Sequence, residues 1–407
     1  MSMFSTQPKR ILMTTDTVGG VWTYALELTR SLQAYDVEVL LATMGPYPTP
    51  AQREDAQSIP NLNLFKSDYK LEWMPECWSD VKRAGDWLLH LENRLRPDLI
   101  HHNGYTHARL PWKAPTLVVG HSCVFSWWQS VHGDEPPIEW ERYKREVTAG
   151  LRAANVVVAP SASMLQALNT HYGSISKGRV IPNGRNPELF EPAEKQPFVL
   201  SAGRLWDAAK NIDGVAAIAS ELPWPLLVAG DFQNSSLTKE YQWLGSLSET
   251  ELRKWFARAS IYALPALYEP FGYTPLEAAL CGCALVLGDI ESLREIWRDA
   301  AVFVDPKDRE ALKNELLDLI KDKERRTEMS RRARERALEF TSARMAEKYL
   351  ELYSELLAQA KANGFASNLM RNVDINCRGG PPWPPVIRRQ AYSAKRAATE
   401  GRPYSCR

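Results

Sequence analysis

The segment Tyr268–Gly282, with the sequence YEPFGYTPLEAALCG, contains residue types that suit the binding of an anion. Thr274, Pro275 and Glu277 are spaced like the N-cap, N1 and N3 residues of a helix, and Phe271-Gly272 would offer backbone amides just before it. Because the N-terminus of a helix carries unpaired N–H groups and a partial positive charge, this spacing predicts an anion site.

Two glutamates belong to the same segment. Glu269 falls in the predicted loop, and Glu277 falls in the first turn of the predicted helix. In the alternative interpretation Glu277 is a capping-box residue and Glu269 is a solvated loop acid, and the spacing does not decide between the two.

Two cations follow a predicted strand at 198–203. Arg204 and Lys210 would lie on the loop after this strand, where a planar guanidinium fork and a mobile ammonium can together neutralise a diphosphate leaving group. Cations are also common on solvated loops, so the pair alone is weak evidence.

A pair of glycines, Gly19 and Gly20, follows the first predicted strand and precedes a predicted helix at 21–34. Glycines here would let a ligand approach the backbone, although a tight strand-to-helix turn would explain them equally well. The Gly-x-Gly-x-x-Gly fingerprint is absent, which disfavours a dinucleotide-dependent dehydrogenase.

The sequence predicts no metal site. It contains no Asp-x-Asp, and although His101, His102 and His107 are close in sequence, alternation along a strand sends His101 and His102 to opposite faces. Fixed cations and helix-terminal amides can stabilise a departing diphosphate without a metal.

The elements that must position these residues form two α/β domains. Short apolar runs at 10–14, 37–43, 99–102, 116–120 and 156–159 alternate with helical spacing at 21–34 and 138–153, and a second series of strands runs through 198–203, 226–230, 261–264, 284–287 and 301–304. Helices are predicted at 248–259, with a capping box between Ser248 and Glu251, and at 274–280. Three charged helices follow between 309 and 362.

The composition excludes several classes of protein. The 407 residues carry a net charge of +1 with 44% hydrophobic residues, which argues against bulk disorder and against a global field for nucleic acid. No apolar run is long enough for a transmembrane helix, residues 1–10 lack the apolar core of a secretory signal, and six scattered cysteines do not suggest a disulfide scaffold. We therefore expect a cytoplasmic protein.

The segment 365–407 differs from the rest of the chain. It carries a net charge of +6, includes GGPPWPP, and shows no periodicity, so it is predicted to be a disordered basic tail. Binding of nucleic acid or anionic lipid by this tail is the less favoured alternative.

Four features together resemble the retaining, nucleotide-sugar-dependent glycosyltransferases of family 4, which have the GT-B fold. These features are the loop at Gly19-Gly20, the motif VIPNG at 180–184, Gly203-Arg204 with Lys210, and the segment 269–282. The resemblance covers roughly 10–360, including a last helix at 342–357. It implies an α/β architecture of two Rossmann-like doubly wound domains that face each other across a cleft.

The resemblance also implies the domain organisation and the cofactor requirement. Residues 1–190 would form the acceptor-side domain, 191–340 the nucleotide-sugar-binding domain, and 341–364 a closing helix that packs on the first domain, before the tail at 365–407. The donor would be a nucleoside-diphosphate sugar, with no metal or other cofactor.

The family's functional residues carry over to named positions. Four of them are candidate catalytic residues: Arg204 and Lys210 would hold the diphosphate, and Glu269 and His121 would lie beside the transferred sugar. Glu277 would bind the ribose hydroxyls. The remaining donor-binding positions are Gly19, Gly20, Phe271, Gly272, Tyr273 and Thr274. Trp127 and Trp128 are candidate acceptor-binding residues, because aromatic faces suit sugar rings, although a place in the core or an interface is equally consistent.

The expected function is transfer of a hexose, with retention, to a hydroxyl of a sugar or glycolipid acceptor in bacterial surface polysaccharide biosynthesis. The alternatives are a nucleotide-sugar 2-epimerase of the same fold and a catalytically inactive sugar-nucleotide-binding subunit. Weak peripheral association with the inner face of the membrane also remains open, whereas a nucleic-acid partner is not expected.

Two departures from the family pattern stand out. Five residues separate Arg204 from Lys210, where the family usually has four, so the loop is expected to bulge. The Lys-Thr-Gly-Gly signature of bacterial glycogen synthases is absent, which argues against a starch or glycogen synthase.

Overall fold

A computed structural model of the chain describes residues 7–231 and 241–376. The first domain is built on a seven-stranded parallel sheet in the order β3-β2-β1-β4-β5-β6-β7. The strands are β1 (Arg10–Asp16), β2 (Glu38–Met44), β3 (Leu62–Lys66), β4 (Leu99–His102), β5 (Thr116–Val119), β6 (Val156–Ala159) and β7 (Gly178–Val180).

The α-helices that accompany this sheet are α1 (Gly20–Leu32), α2 (Pro50–Gln57), α3 (Trp78–Leu95), α4 (Val124–His132), α5 (Glu141–Ala153) and α6 (Ala162–Tyr172). The central strands are buried on both faces and match the predicted apolar runs. The edge strand β3 was not predicted, because none of its residues is fully buried and its sequence, LNLFK, lacks a continuous apolar run.

The second domain is built on a six-stranded parallel sheet in the order β10-β9-β8-β11-β12-β13. Its strands are β8 (Gln196–Ala202), β9 (Leu226–Ala229), β10 (Gln242–Trp243), β11 (Ala259–Leu264), β12 (Ala284–Gly288) and β13 (Val302–Val304). The helices are α7 (Ile212–Ala216), α8 (Glu249–Arg258), α9 (Tyr273–Leu280), α10 (Glu291–Trp297), α11 (Arg309–Lys321) and α12 (Lys323–Ala337). The predicted capping box of α8 is confirmed, since Ser248 and Glu251 bond reciprocally.

Each sheet has one topological switch point, and the two switch points indicate where a ligand would bind. In the first sheet, strand order reverses between β1 and β4, and in the second it reverses between β8 and β11. Ligands of doubly wound sheets bind outside the carboxyl ends of the strands at such points. The loops after β1, β8 and β11 hold Gly19, Arg204 and Glu269, three of the predicted site residues.

The last helix, α13 (Ser342–Asn376), packs against the first sheet. Met345, Tyr349 and Tyr353 lie in the same buried cluster as Ile11 and Met13 of β1. The last helix thus extends from the second domain to the first and completes the hydrophobic core of the first domain.

The predicted start of a disordered tail at position 365 is wrong for its first part, because α13 continues through Asn376. Good helix formers such as Ala366, Leu369 and Met370 continue beyond Gly364, and a single glycine only weakens a helix. The rest of the predicted tail, 377–407, lies outside the described residues. No described helix is both long enough and apolar enough to span a bilayer.

Candidate active site

A cavity of about 410 Å³ lies at the carboxyl ends of the strands and is lined by residues from both domains. The first domain contributes the end of β1 and the Gly19-Gly20 loop, together with Asn103 and His121, which follow β4 and β5. The second domain contributes Arg204, Trp206 and Asp207, from the loop after β8. A cavity of this size, shared by two domains, is typical of a small-molecule site.

Gly19 is in direct contact with Arg204 across this cavity. A Cβ atom placed on Gly19 would lie 2.8 Å from Nη1 of Arg204, closer than real Cβ contacts allow. The backbone at Gly19 is extended, with φ −167°, so a left-handed turn does not explain the glycine. The close approach of the guanidinium explains it instead. The same test on Gly20 gives an ordinary contact, 3.5 Å from the Tyr273 ring.

Arg204 is oriented by Asp207, a residue that the sequence analysis did not single out. Nη2 of Arg204 donates to Oδ2 of Asp207 at 2.6 Å, while Oδ1 of Asp207 accepts from the Trp127 indole at 3.0 Å. Burial acts to raise the pKa of Asp207, but Arg204, the Trp127 indole and Lys210 outweigh it and lower that pKa. Nε of Arg204 is buried without a hydrogen-bond partner among the described residues. The guanidinium therefore keeps donor capacity for an anion.

Asp207 also shapes the loop between Arg204 and Lys210, which ends in a short 3-10 turn. Asp207 caps a short 3-10 turn, Ala208–Lys210, by accepting from the backbone N–H of Ala209 at 3.1 Å. The five-residue spacer thus lets one carboxylate cap this turn, hold Arg204 and reach Trp127 of the first domain. The unusual spacer length was the signal in the sequence that could have pointed to Asp207.

Lys210 and Glu269, two predicted catalytic residues, pair with each other. Their Nζ and Oε2 atoms are 2.5 Å apart, and both side chains are mostly buried. The interpretation of Glu269 as a solvated loop acid is therefore wrong. Neither residue lines the cavity as the structure has it.

The helix of the segment 268–282 begins earlier than predicted. Its N-cap is Gly272, with φ +90°, and α9 starts at Tyr273, so the prediction of Thr274 as N-cap is wrong. The hydroxyl of Thr274 lies 2.7 Å from that of Tyr262 on β11. Only glycine adopts the Gly272 conformation readily, and it turns the chain into the helix without a side-chain cap. Phe271 is buried in the core of the second domain.

Glu277 is neither a capping-box residue nor part of the cavity wall. Its Oε1 lies 3.1 Å from Nε of Arg185, a fully buried arginine that also pairs with Glu27 at 2.6 Å and with Glu249. Burial raises the pKa of Glu277 to about 7, with Arg185 acting in the opposite direction. Arg185 directly follows the VIPNG motif, but its three partners come from distant parts of the chain.

His121 lines the cavity beside Asn103, whose Oδ1 lies 2.8 Å from Nε2 of the imidazole. The ring packs against Tyr24 with a centroid distance of 4.5 Å, and burial lowers the pKa of His121 to about 3. The imidazole is therefore neutral at physiological pH.

Asp16, at the end of β1, also lines the cavity, and burial raises its pKa against the opposing effects of Val18, Arg204 and Gly19.

His101 and His102 of β4 are buried core residues, whereas His107 lines the cavity. His101 is fully buried and lies 2.7 Å from the hydroxyl of Tyr353 on α13. Within 7–231 and 241–376, no group of three His, Cys, Asp or Glu side chains is arranged to hold a metal ion.

Trp127 and Trp128 both line the cavity, and their rings meet edge to face with centroids 6.3 Å apart. Trp128 donates its indole N–H to Asp134 at 2.9 Å. Trp73 and Trp206, which are 38% and 41% exposed, line the same cavity. The aromatic wall is thus wider than the sequence predicted, and its partly exposed faces leave room for a ring-shaped ligand.

Comparison with known protein families gives two matches that together span the cavity-lining loops of both domains. The profile described as "Glycosyltransferase Family 4" matches residues 18–189, and the profile described as "Glycosyl transferases group 1" matches residues 185–336. The chain belongs to the family 4 glycosyltransferases. The predicted family and the predicted GT-B fold are thereby confirmed.

Relatives of this glycosyltransferase include alpha-maltose-1-phosphate synthase of Mycolicibacterium smegmatis, 27% identical over 61% of this chain and 70% of that protein. The structure is similar to sucrose-phosphate synthase from Thermosynechococcus elongatus, with a TM-score of 0.74 and 19% identity over 86% of this chain and all of the other. Anabaena HepE, solved in complex with UDP-glucose, has a TM-score of 0.67 and 17% identity over 85% of this chain and 99% of its own.

The predicted site residues of this glycosyltransferase fall into two groups. Gly19, Gly20, His121, Trp127, Trp128 and Arg204 meet at the cavity. Seven predicted residues do not line it: Lys210, which lies in the turn after β8 and pairs with Glu269, and the residues of α9 and the loop before it, Glu269, Phe271, Gly272, Tyr273, Thr274 and Glu277. The first group presents an oriented cation, a neutral imidazole and aromatic faces, which suit a phosphorylated sugar.

Proposed function

We propose that this enzyme transfers a hexose from a nucleoside-diphosphate sugar to a hydroxyl of a sugar or glycolipid acceptor, with retention of anomeric configuration. The observation that carries the proposal is Arg204, which Asp207 orients against Gly19 while its buried Nε has no partner among the described residues. A guanidinium held in this way can meet a diphosphate with two parallel hydrogen bonds.

The diphosphate would bind between Arg204, Lys210 and the backbone amides at the start of α9. Lys210 now pairs with Glu269 at 2.5 Å, so donor binding would bring the ammonium a second anionic partner. Glu269 would then be available to accept hydrogen bonds from hydroxyls of the transferred sugar. These groups belong to the protein, and the proposal includes no metal ion or other cofactor.

Glu277 would bind the ribose hydroxyls by leaving its contact with Arg185. The arginine would still hold Glu27 at 2.6 Å, and it would also keep Glu249, so it would not be left as an unpaired buried charge. Because unpaired buried charges are costly, this redundancy lowers the free energy needed to release Glu277.

In the transfer step, the bond between the anomeric carbon and the phosphate oxygen breaks as the acceptor oxygen attacks from the same face. The acceptor's proton passes to the departing phosphate oxygen, so the step needs no protein nucleophile. Arg204 and Lys210 would stabilise the negative charge that grows on the leaving group.

The acceptor would stack on Trp127 and Trp128 in the first-domain wall of the cavity. Bacterial surface polysaccharide assembly at the inner face of the membrane is the setting that we propose. Its support is that the relatives include an O-antigen chain mannosyltransferase of Escherichia coli, 28% identical over 33% of this chain and 30% of that protein.

A thermal-shift screen of UDP, GDP and ADP tests donor binding, because a ligand that binds only the folded state raises its melting temperature. The matching nucleotide sugars are then incubated with and without acceptors that include oligosaccharides, glycolipids and α-glucans. An acceptor-dependent product with retained configuration supports the proposal. Free sugar without acceptor would indicate the epimerase, and binding without turnover would indicate the inactive subunit.

A further inference from the structure

Tyr268 reaches from the second domain to the start of helix α4 in the first domain. It directly precedes Glu269, and its hydroxyl oxygen accepts a hydrogen bond from the backbone N–H of Cys123 at 3.2 Å. The same oxygen lies 2.8 Å from Oγ of Ser126. Cys123 is the N-cap residue of α4, at a position where backbone N–H groups have no partner within the helix. The tyrosine therefore supplies a hydrogen-bond partner from the other domain.

The Tyr268 hydroxyl can serve both of these contacts at once. Burial raises the pKa of Tyr268, so the hydroxyl stays protonated and can donate as well as accept. It accepts from the N–H of Cys123 and shares a second hydrogen bond with Ser126, in which either oxygen can be the donor. A phenylalanine at this position would keep the ring and lose only these hydrogen bonds.

The loop that carries Tyr268 is held by the second domain. The backbone N–H of Leu267 donates to the carbonyl of Ala209, in the 3-10 turn after β8, at 2.8 Å. Oγ of Ser292 donates to the carbonyl of Glu269 at 2.6 Å. The residues on both sides of Tyr268 are therefore fixed, so its hydroxyl transmits the position of this loop to α4.

The two tryptophans of the aromatic wall directly follow Ser126 in α4. The indole N–H of Trp127 donates to Asp207 at 3.0 Å, so consecutive residues of α4 are bonded to two different loops of the second domain. Because neighbouring residues of a helix are rigidly connected, a displacement of Ser126 also moves the rings of Trp127 and Trp128. The two contacts together fix the place and the rotation of the first turn of α4.

We propose that Tyr268 is a positioning residue, whose hydroxyl holds the first turn of α4 against the loop of Glu269. The second domain, which carries the donor-binding cations, thereby sets where Trp127 and Trp128 meet the acceptor. This inference rests on the proposed function for the role of the two tryptophans in acceptor binding, but the position of α4 itself does not depend on it.

The position of α4 is tested first, by NMR on the full chain without ligand. The indole N–H of Trp127 is followed by its rate of hydrogen exchange, and Trp127→Phe identifies the signal. We expect exchange about tenfold faster in Tyr268→Phe and a smaller change in the same direction in Ser126→Ala, because a loosened first turn exposes the indole to water more often. The control is Tyr353→Phe, which removes a buried hydroxyl that contacts His101 at 2.7 Å in the core of the first domain.

Exchange in folded Tyr268→Phe at the rate of the wild type would overturn the proposal. Should Tyr268→Phe not fold, Ser126→Ala decides in its place, and an unchanged rate there would overturn the proposal as well. An equal acceleration in Tyr353→Phe would also refute it, because loss of any buried hydroxyl would then have the same effect.

The consequence for acceptor binding is tested by steady-state kinetics with the oligosaccharide or glycolipid that gives product in the transfer assay. We expect Tyr268→Phe to raise the acceptor KM about fivefold and to leave the affinity for UDP within twofold of the wild type in calorimetric titration. A general loss of structure would weaken both, so an equal loss of UDP affinity, or an unchanged acceptor KM, would refute the link to the acceptor. If no acceptor gives product, the proposed function fails, while the exchange rates still decide the role of Tyr268.

Discussion

Arg185 and Glu277 form a 3.1 Å ion pair in the interior, where the chain leaves the first domain and meets helix α9 of the second. The same guanidinium holds Glu27 of α1, so one fully buried cation connects elements of both domains. Glu249 is its third partner, so the loss of any one carboxylate would not leave the buried cation uncompensated. Because Glu27 and Glu277 come from different domains, the cation that they share contributes to the arrangement of the two domains in addition to any role in binding.

Glu277→Gln should separate the structural role of this residue from its proposed role in the donor site. The amide keeps the size of the side chain and a polar oxygen near Arg185, and Glu27 and Glu249 still neutralise the cation, so we expect a near-normal melting temperature. Donor affinity should fall about tenfold, because an amide binds ribose hydroxyls more weakly than a carboxylate does. Calorimetric titration measures it, and wild-type affinity would remove Glu277 from the donor site.

The pH dependence of stability should change in the same variant. The folded-state pKa of Glu277 is about 7, against an ordinary value of 4.5, so the folded state binds this proton more tightly than the unfolded state does. The contribution of Glu277 to the free energy of unfolding is therefore largest below pH 4.5, its ordinary pKa, and it declines as the pH rises to about 7. Glu277→Gln should lose this decline in melting curves recorded from about pH 5 to pH 8. Parallel profiles for variant and wild type would contradict it.

Arg204→Ala should lower kcat by about 10²-fold or more, because the guanidinium stabilises charge that grows in the transition state. Lys210→Ala should act in the same direction. Arg294→Ala, which removes an exposed arginine paired with Asp289, is the matched control for loss of a surface cation. Steady-state kinetics with the preferred donor measure the effect, and unchanged turnover in both site variants would exclude them from the mechanism.

Asp207→Asn should raise the donor KM about tenfold and lower kcat less, because it weakens the orientation of Arg204 without removing the cation. Trp127→Phe, which removes the 3.0 Å indole contact to Asp207 and keeps an aromatic ring, is the partner variant. A double-mutant cycle should show coupling between the two residues. Strict additivity would mean that the contact between the domains does not bear on the donor site.

Gly19→Ala should impair donor turnover by displacing Arg204, since the new Cβ would lie 2.8 Å from Nη1. Gly20→Ala should have a smaller effect, because its Cβ would make an ordinary 3.5 Å contact with Tyr273. Kinetics of the two variants side by side test the close approach. Equal effects would show that flexibility of the loop, and not the position of Arg204, requires the glycines.

The sequence alone was sufficient for the parts of this protein that depend on neighbouring residues. The buried strands read as apolar runs, Ser248 and Glu251 marked the start of α8, and the loop at Gly19-Gly20 and the segment around Arg204 were recognisable by local spacing. These features were predictable because backbone hydrogen bonding, burial and close backbone approach each leave a short pattern in the chain.

Only the tertiary structure decided which side chains pair with which. Arg185 pairs with three carboxylates, from α1, α8 and α9. Asp207 connects Arg204 to Trp127 of the first domain. Asn103, just after β4, contacts His121, just after the neighbouring strand β5. Apart from the local pair Arg204–Asp207, these partners are at least 18 residues apart in the sequence, so no local period or spacing encodes them. Burial of charged and polar groups demands partners, but the sheet order and the packing of the two domains determine which ones are within reach.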